Sequence, residues 1–143
     1  MACRFDELYD LTAEAARIAG PGHFWTGARG FAHFTVRALE TYREIASAAD
    51  DVVPRWAAAM TAAEACCRPV GLRLTGLTLT AGTVMACAEP LADAAWEFMA
   101  VLADDLGEDG WFEAGFRRTI WYANLLHFAA DPADPAGLVD WVS

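Results

Sequence analysis

The residue types best suited to chemistry stand in a short alternating segment, residues 31 to 39. His33, Thr35 and Arg37 occupy every second position there, so a strand would place all three on one face. An imidazole can exchange a proton with a phosphoester oxygen at neutral pH, and a hydroxyl two positions on can donate to the phosphate. The segment therefore predicts half of a phosphate-handling site. Arg37 would either bind the substrate anion or form an ordinary ion pair.

A second segment, residues 119 to 129, carries polar side chains at the same spacing and is the natural counterpart of the first. Tyr122 and Asn124 share one face of the predicted strand, whereas His127 has the opposite parity and would point away. A β-bulge would reverse the parity of His127, and this alternative stays open. Asn124 is the only asparagine of the chain, so in mid-strand we expect it to have a specific partner, either a ligand or a backbone group.

The two segments together resemble the two-histidine (2H) phosphoesterase superfamily, which includes 2′,5′-RNA ligase-like and cyclic phosphodiesterase-like proteins. His33 and Thr35 match its His-x-Thr motif, while Tyr122 and Asn124 stand where the second motif would have histidine and threonine. The resemblance implies a two-lobed α+β fold, with largely antiparallel sheets, flanking helices and a central cleft. It also implies that these four residues are the catalytic ones, acting on a small phosphorylated or cyclic-phosphate ligand.

Tyrosine in place of a proton-transfer histidine changes what this resemblance implies for the reaction. A phenol is better suited to holding a ligand than to proton transfer at neutral pH. The sequence therefore supports two alternatives: a divergent phosphoesterase with His33 as its acid or base, or the same fold with the reaction lost. In the second case the cleft would bind a small molecule or serve a specialised biosynthetic step.

Hydrophobic periodicity and Gly/Pro punctuation predict the elements that must position these residues. The order αβααββαβα predicts one α+β domain over residues 1 to 143, with a largely antiparallel sheet. The predicted helices span residues 5 to 19, 40 to 49, 51 to 67, 90 to 106 and 135 to 142, and the predicted strands span 31 to 39, a hairpin within 70 to 88 bulged at Gly76, and 119 to 129.

A glycine-rich loop at residues 20 to 30 precedes the first predicted strand and carries aromatic side chains toward it. We predict Trp25 as a substrate-binding residue that lines the cleft. His23 would either cover the cleft or anchor the loop, and anchoring is the favoured interpretation because aromatic neighbours usually pack.

Composition excludes several classes of function. The chain has no lysine, which rules out Schiff-base chemistry and a P-loop lysine, and its only serines, Ser47 and Ser143, are poorly placed for a catalytic triad. A net charge of −10 opposes binding of long nucleic acid. No apolar run is long enough to cross a membrane, and the N-terminus has no signal-peptide pattern, so the sequence predicts a cytoplasmic protein.

The remaining expectations concern metals, cofactors and partners. Four cysteines at positions 3, 66, 67 and 87 show no metal-ligand spacing, so we expect reduced thiols, no metal and no cofactor. The expected partner is a small-molecule ligand. A homodimer is also possible, since the chain begins close to its first helix and a second copy could complete a sheet edge.

Overall fold

A computed structural model describes residues 5 to 42, 44 to 45 and 47 to 143. The fold is α+β with a three-stranded antiparallel sheet, which confirms the predicted class. In that part of the chain the elements are, in order, α1 (Phe5–Ala19), α2 (Val52–Cys66), β1 (Leu72–Leu79), β2 (Thr83–Pro90), α3 (Ala94–Leu106), a 3₁₀ helix (Gly107–Glu113), β3 (Trp121–His127) and α4 (Pro135–Val142).

The chain forms two compact units. The sheet unit contains the described residues up to Thr35 together with Leu72–Glu89 and Ile120–Ser143. The helical unit contains Val36–Gly71 and Pro90–Thr119. Within the described residues, no helix reaches the length and apolarity needed to cross a membrane.

In the sheet unit, the strands lie in the order β1-β2-β3, and β2 pairs antiparallel with β3. One face of this sheet forms the core together with α1 and α4, because apolar residues at helical spacing in both helices meet apolar residues at strand spacing. Helix α1 ends where Gly20 takes a φ of 86°, a conformation that favours glycine. The fully buried residues of this core include Leu8 and Ala15 of α1, Val84 and Ala86 of β2, Leu125 and Leu126 of β3, and Leu138 of α4.

Strand β3 contains a bulge. Asn124 pairs with Met85 and Leu126 pairs with the preceding residue Val84, so Leu125 has no partner on β2. One extra residue reverses the side-chain alternation that follows it. Leu125 and Leu126 are therefore both buried in the core, and His127 shares the face of its partner Thr83.

In the helical unit, α2 packs against α3 through small residues. Ala59 and Ala63 of α2 meet Leu102 and Leu106 of α3 in a buried cluster. Beyond α3, the 3₁₀ helix is tied back to α2 by Arg55, which donates to Asp109 at 2.6 Å. This hydrogen bond lowers the pKa of the Asp109 carboxyl below its ordinary value.

The strand predicted at residues 31 to 39 is wrong, since no residue from 32 to 39 belongs to a strand. The alternation itself is present: Ala32 and Phe34 pack against the core, and their chain neighbours Phe31, His33 and Thr35 are exposed. The strand is missing because Phe24 and Gly27 occupy the free edge of β3, through hydrogen bonds to His127 and Leu125.

Side chains provide hydrogen bonds to the later part of that segment in place of a neighbouring strand. Arg118 donates to the carbonyl of Val36 at 3.2 Å, and the amide of Ala38 donates to the carboxylate of Glu113 at 2.9 Å. Backbone groups satisfied in this way need no sheet partner.

The helix predicted at residues 40 to 49 is also wrong, because none of the described residues in that range is helical. Its apolar members have no core to face: Tyr42 is 92% exposed and Ile45 is 81% exposed. The Ser47 amide donates to the Asp50 carboxylate at 3.1 Å, and the Ser47 hydroxyl accepts from the Ala49 amide. Such local hydrogen bonds from short polar side chains compete with helix formation.

Candidate functional site

The first predicted motif lies outside the sheet. His33 and Thr35 are both exposed in the irregular segment, and the His33 ring nitrogen Nδ1 lies 2.8 Å from the carbonyl oxygen of Phe31. Among the hydrogen bonds of the described residues, none joins His33 or Thr35 to Tyr122 or Asn124. The resemblance implies one motif strand on each side of a central cleft, and the first of these two strands is not formed by this segment.

The second predicted motif does lie on a strand. Tyr122 and Asn124 are half-buried on the face of the sheet opposite the core, where they pair with Cys87 and Met85 of β2. The only polar contact of the Asn124 side chain within the described residues is with the Thr83 hydroxyl, at 3.4 Å. The sequence-based expectation of a shared face is therefore met, and a third side chain, His127, joins this face through the bulge.

Trp25 and His23 pack onto neighbouring elements of the sheet unit. The Trp25 ring lies 6.2 Å from that of Tyr9 on α1 and remains 43% exposed. His23 accepts from the Ala129 amide at Nδ1 and lies 3.2 Å from the carbonyl oxygen of Ala19 at Nε2. Because Nδ1 accepts, Nε2 carries the proton and donates. His23 therefore anchors the glycine-rich loop.

Arg37, the remaining predicted site residue, lines a groove of about 530 Å³ in the helical unit. The groove runs beside α3 and is largely apolar, with charged side chains at a few points. Its charged lining residues are Arg37, Asp93, Glu97 and Arg117, and its large apolar lining residues are Trp96, Met99 and Phe116.

The two arginines of this groove differ from the other described arginines in having no ion pair. Six of the eight arginines in the described residues have a carboxylate within 4 Å, and Arg37 and Arg117 do not. This is notable in a chain with twenty acidic residues and ten arginines. The six pairs are Arg17 with Glu14, Arg29 with Asp6, Arg55 with Asp109, Arg68 with Glu97, Arg73 with Glu89, and Arg118 with Glu113.

Arg37 is fixed in place but retains donors. Its Nη2 atom donates to the carbonyl of Gly110, while its Nε atom is buried without a hydrogen-bond partner. A buried donor that has lost water without gaining an acceptor is costly. The guanidinium to which it belongs lines the groove and has no carboxylate partner among the described residues.

Arg117 and Trp96 also line the groove and contact each other. The Arg117 guanidinium lies 5.1 Å from the centre of the Trp96 ring, and Arg117 is itself exposed. The Trp96 indole donates to the carbonyl of Arg118 at 3.2 Å, which fixes the orientation of the ring. Stacking on an indole orients a guanidinium without using any of its hydrogen-bond donors.

The lining of this groove combines arginine side chains with apolar side chains, which is suited to binding an anion that has an apolar part. Its lining contains no histidine, cysteine, serine or threonine, and one of its two carboxylates, Glu97, is held by Arg68 at 2.9 Å. That pairing leaves Arg37 and Arg117 as the cations able to receive an anion. Elsewhere in the described residues, no group of three or more His, Cys, Asp or Glu side chains could hold a metal ion.

Sequence reasoning found Arg37 and left open whether Phe116 packs in the core or lines a cleft, but it missed Arg117 and Trp96. One signal was available, since Arg117 and Arg118 are the only basic residues among residues 89 to 143, which hold eleven acids. Which of these two arginines is paired depends on the fold and could not be read from the sequence.

Comparisons with protein-family models, with curated proteins and with solved structures find no match to this chain.

Proposed function

We propose that this protein binds a small organic anion, with a phosphate monoester as the preferred class, in the groove beside α3. The observation that carries the proposal is that Arg37 and Arg117, the described arginines without an ion pair, both line this groove. Guanidinium groups match phosphate oxygens in geometry and charge. Trp96, Met99 and Phe116 would cover the organic part of the ligand.

Size and charge restrict the ligand to small molecules. A volume of about 530 Å³ falls within the range of roughly 300 to 1,000 Å³ that is usual for small-molecule sites. The net charge of −10 repels an extended polyanion, whereas a single phosphate can be neutralised locally by two arginines. The groove is therefore suited to a monomeric phosphate ester rather than to a nucleic acid.

The test is a calorimetric titration of the full chain with phenyl phosphate. We expect binding that weakens by about tenfold or more in Arg37→Met and in Arg117→Met, since a charge-assisted hydrogen bond contributes roughly 1.5 to 3 kcal/mol. Arg17→Met is the matched control, because it removes the same charge from an exposed ion pair on α1. Titration with benzoate separates phosphate preference from general anion binding.

Two results would overturn the proposal. One is the absence of heat with both phenyl phosphate and benzoate while the protein is folded. The other is a loss of affinity in Arg17→Met equal to that in Arg117→Met, because such a result would mean that net charge, and not the groove, attracts the anion.

The 2H phosphoesterase reaction is the second candidate, and one observation favours it. Tyr122 and Asn124 share one strand face, as the second motif of that family requires. Against turnover, His33 and Thr35 are exposed outside the sheet, so a second proton-transfer group next to Tyr122 is not supplied by them. Incubation with a 2′,3′-cyclic nucleotide, followed by ³¹P NMR, tests this candidate. Ring opening that disappears in His33→Ala would favour the phosphoesterase over simple binding.

A further inference from the structure

The bulge in β3 collects three hydrogen-bonding side chains on one face of the sheet. Thr83, Met85 and Cys87 of β2 alternate with the buried residues of that strand and are half-buried on the opposite side. We call this side the outer face. The residues of β3 that pair with these three are His127, Asn124 and Tyr122. Residues directly opposite in an antiparallel pair share a face, so all three lie on the outer face.

Without the bulge, this group would not exist. His127 is three positions after Asn124, and in a regular strand that spacing would place the two side chains on opposite faces. The unpaired Leu125 adds the one residue that brings His127 to the same side. Bulges commonly re-aim side chains next to functional sites.

The three side chains keep most of their hydrogen-bonding capacity. Within the described residues, the phenol of Tyr122 and the imidazole of His127 have no side-chain hydrogen bond. Thr83 has a single hydroxyl hydrogen, and its shortest acceptor is the carbonyl of Leu126 at 2.8 Å. The longer contact of Thr83 with Asn124, at 3.4 Å, therefore leaves the Asn124 amide free to pair with a ligand.

The charge of the side chains on the outer face indicates which kind of ligand could bind there. The charged residues of the neighbouring strands, Arg73 on β1 and Glu89 on β2, form an ion pair with each other. The three side chains are all uncharged when histidine is neutral, and each can both donate and accept, so they match a neutral molecule with alternating donors and acceptors. An anion would find no unpaired cation among them, in contrast to the groove beside α3.

We propose that Tyr122, Asn124 and His127 form a binding site for an uncharged heterocycle with an amide-type edge, such as a free nucleobase. The Asn124 amide pairs with adjacent donor and acceptor atoms of the ring, as asparagine does with adenine. Tyr122 and His127 donate to or accept from the neighbouring positions. This site is independent of the proposed anion groove.

The test is a ¹H–¹⁵N NMR titration of the full chain with uracil and, separately, with adenine. We expect the amide signals of the three residues to shift, and the affinity to fall by about tenfold or more in Asn124→Ala, because the donor and acceptor atoms of the base would lose their paired partner. Tyr122→Phe removes only the hydroxyl and should weaken binding less. Thr75→Val is the matched control, since Thr75 is an exposed threonine of β1.

His127→Phe keeps a ring at the bulge and serves as the second variant if Asn124→Ala does not fold. The proposal is overturned if neither base shifts these signals at millimolar concentration, or if the shifts survive unchanged in both Asn124→Ala and His127→Phe. Loss of base binding in Arg117→Met would also overturn it, because the ligand would then lie in the groove beside α3. A failure with phenyl phosphate leaves this site unaffected, so the two proposals fail separately.

Discussion

At the scale of single residues, partner choice decides what each arginine can do. Arg55 and Arg118 are held by carboxylates, at 2.6 Å and 3.1 Å, and are not free to receive a ligand anion. Arg37 and Arg117 are held by a carbonyl and by an indole ring, which leave their charge uncompensated. The sequence pointed to Arg37 through its alternation with His33, but the pairing of the others depends on contacts between distant parts of the chain. Arg55 and Asp109, for example, are 54 positions apart.

A substitution at Gly27 tests how closely the loop packs against α1. A Cβ atom at this position would overlap the Thr12 hydroxyl and would lie 3.1 Å from the Leu125 backbone. We expect Gly27→Ala to lower the free energy of unfolding by about 1 to 3 kcal/mol, as overpacking of a dense core does. Urea denaturation measures the change. Gly82→Ala is the control, because its Cβ would meet no atom within 4 Å, and equal losses in both variants would contradict this account.

At the scale of elements, the local sequence was sufficient to predict a helix or a strand where the segment carries its own start and stop signals. Helix α1 is bounded by acidic residues and a glycine, and helix α4 is opened by Asp134 and Pro135, so both were predictable over their full lengths. The hairpin of β1 and β2 was also predictable from alternation. The conformation of the segment after Gly30 was not predictable. Alternation predicts an extended chain, but it does not tell whether a sheet edge is free to pair with that chain. Phe24 takes the place beside His127 of β3, a long-range fact without a local signal.

The N-cap of α4 provides a test at this scale. The Asp134 side chain accepts a hydrogen bond from the amide of Gly137 at 2.8 Å, and the helix places Leu138 in the core of the sheet unit. We expect Asp134→Ala to lower the free energy of unfolding by about 1 kcal/mol, as loss of an N-cap does. Asp131→Ala, at an exposed position before the helix, should change it little. A larger loss in Asp131→Ala than in Asp134→Ala would show that the cap is not formed.

At the scale of the whole molecule, acidic residues outnumber arginines by twenty to ten. The net charge of −10 is distributed over both units, and most described arginines are used to neutralise nearby carboxylates. A net charge of this sign opposes the approach of a long polyanion, whereas the anion that we propose for the groove beside α3 is small. The homodimer expected from the sequence remains a prediction, to be checked by light scattering at high protein concentration.

The ion pair of Arg55 with Asp109 predicts that the free energy of unfolding depends on pH. Hydrogen bonding to Arg55 lowers the pKa of Asp109 in the folded protein. Its contribution is therefore complete at neutral pH, above the ordinary aspartate pKa of about 3.9, and is lost as the pH falls through the lower folded value. We expect Asp109→Asn to be less stable than the natural chain at pH 7, with the difference closing in strong acid. Urea denaturation at pH 7 and in strong acid measures this difference in stability, and Asp104→Asn is the control. A difference that grows on acidification would contradict the pairing of Asp109 with Arg55.

Arg37 and Arg117 carry the proposed anion site, and arginine side-chain NMR tests that site most directly. The measurement follows the ¹H–¹⁵N signals of the arginine Nε groups during addition of phenyl phosphate, with Arg37→Met and Arg117→Met used for assignment. We predict that the signals of Arg37 and Arg117 move, since a phosphate beside a guanidinium changes the surroundings of its Nε group, while the signals of the six paired arginines stay in place. Movement of the paired arginines to the same extent, or of no arginine at all, would contradict the account.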